Sequence, residues 1–79
     1  MTNRVVHASL PDGRHLIRLR STGRWYLEYP DSSRKVVTLL EAVSICTDDS
    51  VTVHLGRPGG LRFDEKVRQA RGLPKHIYR

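Results

Sequence analysis

Residues 4–10 (RVVHASL) alternate in polarity, break at Pro11-Asp12-Gly13, and alternate again over residues 14–20. Asp-Gly between two alternating runs is a hairpin signal. A two-residue turn at Asp12 and Gly13 sets Leu10 against His15, Ala8 against Ile17 and Val6 against Leu19 on one apolar face. The opposite face then pairs Ser9 with Leu16, His7 with Arg18 and Val5 with Arg20. Ser21, Thr22 and Gly23 supply the next turn. A two-residue turn there would bring Glu28 to the apolar face, so a three-residue loop with Gly23 in the left-handed region is expected. Leu19 then lies by Trp25, Ile17 by Leu27 and His15 by Tyr29 on the apolar side. On the other side Arg20 opposes Arg24, Arg18 opposes Tyr26 and Leu16 opposes Glu28. Both turns place the apolar residues on one side, which predicts a three-stranded meander.

Pro30 and Asp31 end the third strand, and residues 34–37 add a short extended piece. Thr38 and Glu41 have the spacing of a capping box. They open a helix over residues 39–47, with Leu39, Leu40, Val43 and Cys46 as its buried stripe. Residues 51–55 alternate as a strand, residues 56–60 form a Gly/Pro loop, and residues 61–63 read as a return strand. That hairpin would put Val53 by Phe63 and His54 by Arg62. Asp64 then caps a short helix over residues 65–71, with Gly72 at its C-terminal end, Leu73 folding back towards Val67 and Pro74 stopping it. The expected fold class is α+β: an antiparallel sheet of four or five strands, meander plus hairpin, packed on one main helix, with a short C-terminal helix. Residues 1–74 make a single small domain, and residues 75–79 a flexible basic tail.

Composition narrows the classes. A chain of 79 residues has a thin core, because a domain this small buries only about 60% of its unfolded surface. Cys46 is the only cysteine, so no internal disulfide staples the fold, and a small buried residue on the helix is its expected role. No segment approaches the roughly 20 apolar residues that span a bilayer, which points away from membranes and to the cytoplasm. The net charge is +6, distributed as +4 over residues 1–35, −3 over residues 36–56 and +5 over residues 57–79. Eleven of the fourteen cations are arginine. Such a surface suits a polyanion, and arginine forks onto phosphate and guanine edges; a GC-rich genome would enrich arginine equally.

The candidate binding residues are those of the polar face: His7, Arg18, Arg20, Arg24 and Tyr26, joined by His54 and Arg62 if the second hairpin extends the sheet. Arg20 opposite Arg24 is a like-charge pair that costs stability in a free sheet, and a phosphate between them would turn the cost into binding. Tyr26 beside Arg18 offers a stacking surface. The alternative reading is that a sheet with one dry side has a wet one, and that in an arginine-biased genome the wet side fills with arginine. Gly59-Gly60 reads as a turn, with no helix directly after it and without the Lys and Ser/Thr of a phosphate loop. The histidines lack metal spacing, and no cofactor is expected. No nucleophile among Ser9, Ser21, Ser44 and Cys46 stands beside an evident base. One enzymatic reading remains, in which His7, Arg18, Tyr26 and Glu28 share a sheet face as a metal-free ribonuclease.

Gly23 and Trp25, then Tyr29, Asp31, Arg34 and Lys35, then Thr38, Glu41 and Ala42 resemble the arm-binding module of phage tyrosine integrases, itself similar to the plant AP2 domain. The resemblance covers residues 23–42. It implies a three-stranded sheet in the DNA major groove, backed by the helix, with Arg18, Arg20, Arg24 and Tyr26 on the DNA side. In that family the helix ends the module, whereas this chain continues. Gly23, Trp25, Pro30, Asp31, Thr38, Glu41 and Ala42 equally resemble antitoxins of the HicB kind, which implies a partner protein instead. The leading expectation is a small non-catalytic accessory protein of a phage or mobile element that binds DNA or RNA. The alternatives are an interaction module, antitoxin or host-protein inhibitor, whose basic surface meets an acidic protein, and a ribonuclease-like toxin.

Overall fold

A computed structural model describes residues 3–72. The elements run β1 (Arg4–Ser9), β2 (His15–Leu19), β3 (Trp25–Glu28), β4 (Arg34–Val37), α1 (Leu39–Ile45), β5 (Thr52–Val53) and α2 (Leu61–Arg71). The five strands form one antiparallel sheet in the order β4-β3-β2-β1-β5. This is the expected α+β class. Ala8, Leu16, Trp25, Leu27 and Val37 on one sheet face pack with Ala42 of α1, with Cys46 at its C-cap, and with Phe63 and Val67 of α2. Both helices therefore cover the same face, and the other face carries no helix.

The meander forms, but β2 is turned over relative to the sequence reading. Pro11 takes the second position of a turn in which the Gly13 N–H donates to Leu10 O, and Leu10 pairs with Arg14. Pro favours that position, so the loop has three residues, Gly13 taking φ +91°, and Ser9 faces His15. At the next turn Leu19 N–H donates to Arg24 O, which leaves a four-residue loop, 20–23, instead of three. Each change moves the pairing by one residue, and one residue exchanges the faces. Leu16 and Arg18 consequently lie on the helix side, opposite Leu27 and Trp25. His15, Ile17 and Leu19, expected inside, lie on the open face. A β-bulge between Val6 and Ala8 puts Val6 on the open face while keeping Ala8 in the core, and turns His7 inward.

On the open face Val6, Ile17, Tyr26 and Val36 stand opposite one another across four strands. Ile17 is fully buried although no helix covers it. Arg4 Nε and Nη2 donate to Glu28 Oε1 at 2.9 and 2.5 Å. Arg4 pairs with Leu19 and Glu28 with His15, so this ion pair runs diagonally over Ile17 and roofs it.

The capping box of α1 is present: Thr38 N–H donates to Glu41 Oε1 at 2.8 Å and Glu41 N–H to Thr38 Oγ1 at 3.1 Å. Ala42 and Cys46 supply its buried contacts, whereas Leu40, assigned to the stripe, is 71% exposed. The second hairpin does not form. Residues 61–63 are the first turn of α2, which is longer than α1, and β5 pairs with β1 instead. Phe63 and Val67 are one helical turn apart and both buried, which stabilises a helix that Leu-Arg-Phe alone could not signal. Asp64 lies inside α2 and accepts Gly56 N–H at 2.9 Å instead of capping. Gly72 closes α2 at φ +72°. Leu73, Pro74 and the expected tail lie outside the described residues.

Arg71 locks α2 to the turn after α1, donating to Cys46 O, Asp48 O and Val51 O at 2.7–3.0 Å. Three carbonyls lose a charged donor in Arg71→Ala. The expected cost is about 2 kcal/mol, read as a lower urea midpoint with an unchanged slope.

Candidate nucleic-acid interface

The sheet separates the residues assigned to one binding face. Arg24 and Tyr26 lie on the open side. Arg18 lies on the helix side, opposite Trp25. His7 is 0% exposed, its ring 4.6 Å from that of Trp25 and 5.5 Å from that of Phe63. Burial, then Arg18, Arg57 and His54, push its pKa down to about 4. Arg20 and Arg24 are not directly opposite: Arg24 pairs with Leu19, and Arg20 opens the loop with its N–H on Asn3 O. Arg62 is exposed on α2, away from His54 on any shared strand. The ribonuclease set is divided in the same way, His7 and Arg18 on one side, Tyr26 and Glu28 on the other. Glu28 is also engaged by Arg4 and Arg34, whose hydrogen bonds and charges, Arg4 first, hold its carboxyl below the usual range.

The pairing brings a different set together, at one end of the sheet. The start of β1, the 20–23 loop and the end of β4 lie at that end. Because β5 runs antiparallel to β1 towards His7, residues 54–60 arrive there too. The end therefore carries Arg4, Arg18, Arg20, Arg24 and Arg57. Arg4, Arg20, His54 and Arg57 line a groove floored by Val5, Val6 and Pro58. β5 pairs only with Ala8 and Ser9, which leaves the first half of β1 as the groove wall. Burial, then the neighbouring Arg57 and His15 charges, lower the His54 pKa, and its Nε2 lies 3.1 Å from Ser9 Oγ.

Charge is segregated along the strands. The opposite end holds the turns with Asp12 and Asp31 and the segment with Asp48 and Asp49. The cations there are engaged: Arg14 with Asp12 at 2.7 Å and Arg34 with Glu28 at 3.2 Å. Among the described residues, Arg18, Arg20, Arg24 and Arg57 have no carboxylate partner. Of the carboxylates near that end, Glu41 is held in the capping box, and Asp64 is buried, its Oδ2 accepting Gly56 N–H and its Oδ1 without a hydrogen bond. Sequence reasoning missed Arg4 and Arg57. The uneven charge hinted at them, but only the β1–β5 pairing shows that Arg57 joins Arg20.

Among the described residues no group of three or more His, Cys, Asp or Glu side chains is placed to hold a metal ion, and no helix is long and apolar enough to cross a membrane. No protein-family model, curated protein or solved structure matches the chain.

Proposed function

We propose that the protein binds nucleic acid, without catalysis, through the arginine-bearing end of its sheet. The observation that carries this is the set Arg18, Arg20, Arg24 and Arg57, drawn from separate segments to one end and left without carboxylates, while the Asp-rich turns occupy the other. Unpaired guanidinium groups repel one another, and a phosphate backbone relieves that repulsion. The polarity also orients the molecule, because the acidic end is repelled by the same polyanion. Tyr26, half-buried on the open face beyond Arg24, supplies a stacking surface for an unpaired base.

Fluorescence anisotropy with labelled single-stranded and duplex DNA and RNA, at several salt concentrations, tests this reading. Four phosphates neutralised on a duplex predict a log–log salt slope of about −3 to −4. Absence of binding at low salt removes it. An acidic protein partner is the alternative, favoured by the apolar positions of the open face beside the roofed Ile17, the half-buried Val6 and Tyr26 and the 60% exposed Val36. It is supported instead if the chain ignores all four nucleic acids and forms a stoichiometric complex with an acidic protein that Val36→Asp abolishes.

A further inference from the structure

We infer that the groove beside the first half of β1 receives an unpaired nucleotide, its base on the apolar floor and its flanking phosphates on Arg20 and Arg57, which makes single-stranded nucleic acid the preferred ligand. This rests on the nucleic-acid reading and deepens it, because charge alone favours a duplex, whose phosphates are denser. The groove exists because β5 is short. It pairs with Ala8 and Ser9, and His54 N–H then donates to His7 O. Beyond it Gly56 takes φ +79° and the chain turns to α2, where Asp64 Oδ2 accepts Gly56 N–H at 2.9 Å. Val5 and Val6 are left across an open space from the loop that carries Arg57 and Pro58, with a volume of about 400 Å³. Small-ligand sites run from roughly 300 to 1,000 Å³, so this one admits a base with its sugar.

The lining divides by chemistry. Val5, Val6 and Pro58 form an apolar floor, and Arg20 and Arg57 stand on the rim with no Asp or Glu among the lining residues. A surface that reads phosphate alone needs charge and no floor. A duplex turns its base faces inward and leaves such a floor bare, whereas an unpaired base has an apolar face to lay on it. Arg4 also lines the groove, but its guanidinium is held by Glu28, so the phosphates fall to Arg20 and Arg57.

Two further features suit a base. His54 is a wall of the groove, and its Nε2 lies 3.1 Å from Ser9 Oγ, which fixes the ring. Burial and then the Arg57 and His15 charges lower its pKa, so near pH 7 the ring is uncharged and offers a flat surface to a base instead of a charge to a phosphate. The second feature is the edge of β1 itself. Asn3 O accepts Arg20 N–H on the β2 side, and the backbone groups of a strand alternate in direction. Three residues on, the Val6 N–H and C=O therefore point to the groove side, where no strand among the described residues pairs with Val6. They offer a base edge one donor and one acceptor.

The test compares the full chain's affinity, by fluorescence anisotropy at low salt, for a labelled dodecanucleotide, for the same strand annealed to its complement, and for an abasic strand with the same phosphates. The single strand is expected to bind at least about tenfold more tightly than either of the others, the effect of stacking one base. Nuclear magnetic resonance titration of the ¹⁵N-labelled chain should then shift the Val5, Val6, His54 and Arg57 amides. Val6→Thr with Pro58→Ser, which makes the floor polar and leaves every charge, should remove the preference for the intact strand over the abasic one; if the pair does not fold, Pro58→Ser alone, on the exposed loop, decides. Arg57→Gln should weaken intact and abasic strands alike. A duplex or an abasic strand bound as tightly as the intact single strand overturns the groove and leaves the nucleic-acid reading standing. So does a single-strand preference whose shifts are confined to residues 24–26, which would place the base on Tyr26. No binding of any strand at low salt removes the nucleic-acid reading and this site with it.

Discussion

Phe63→Ala is expected to remove a large share of the fold's stability, about 3–5 kcal/mol. Phe63 is 1% exposed and belongs to the core shared by both helices and the sheet, its ring tilted against that of Trp25 at 4.8 Å and edge-on to that of His7 at 5.5 Å. Removing a buried phenyl ring costs about 3–5 kcal/mol. A domain of this length has a total stability of roughly 4–12 kcal/mol, with no disulfide to hold the remainder. The consequence is specific to the helical placement of residues 61–63. In a surface hairpin the same change would be mild, whereas here it empties the junction between α2 and the sheet. Circular dichroism melts of the variant check this, with Val36→Ala on the open face as the comparison, expected to stay within about 0.5 kcal/mol of the parent.

The second large effect is a loss of stability in mild acid. His7 has a folded pKa of about 4, against about 6.5 in an unfolded chain. Between these values the unfolded chain binds a proton that the fold refuses, so stability is complete above about pH 6.5 and falls as the pH drops towards 4. The full loss is roughly 3 kcal/mol. His54, also lowered, adds in the same direction. Asp64, raised by burial, works oppositely and offsets part of the loss as it takes up a proton in the fold. The lowered carboxylates, Glu28, Asp12, Asp31, Glu41 and Asp48, withdraw their stabilisation as pH falls below about 4.5, so they add to the loss only at the acid foot of the histidine window. Urea unfolding at a series of pH values should show the slope in the parent and a much flatter one in His7→Leu. An equal slope in both would show that His7 is not the group refused.

The parts of the fold legible in the sequence were those set by local chemistry. Thr38 and Glu41 announced α1 because a capping box is complete within four residues, and Gly72 announced the end of α2. The inward side of Trp25, Leu27 and Tyr29 was legible because three alternating apolar residues leave no other choice. β2 was not, because both of its faces are apolar enough: His15, Ile17 and Leu19 could be buried as well as Leu16. Its orientation was left to loop length, where Pro11 and Arg20 each added one residue to the loop expected from the sequence. The inward turn of His7 depended on a bulge, which alternation cannot announce. The binding residues inherited these errors. Arg20 and Arg24 kept their place at an exposed loop, whereas Arg18 and His7 moved behind the sheet. Arg57 needed a two-residue strand, too short for any periodicity to show.

One comparison bears on the charge-segregated end most directly: duplex and single-strand binding of the triple variant Arg20→Ala, Arg24→Ala, Arg57→Ala beside the double variant Arg14→Ala, Arg34→Ala at the opposite end. The triple variant is expected to lose at least about 100-fold in affinity at low salt and to flatten the salt slope by about 2 to 3, with its melting curve retained. The double variant should stay close to the parent. Equal losses in both, or undiminished binding in the triple variant, would contradict an interface built on that end of the sheet.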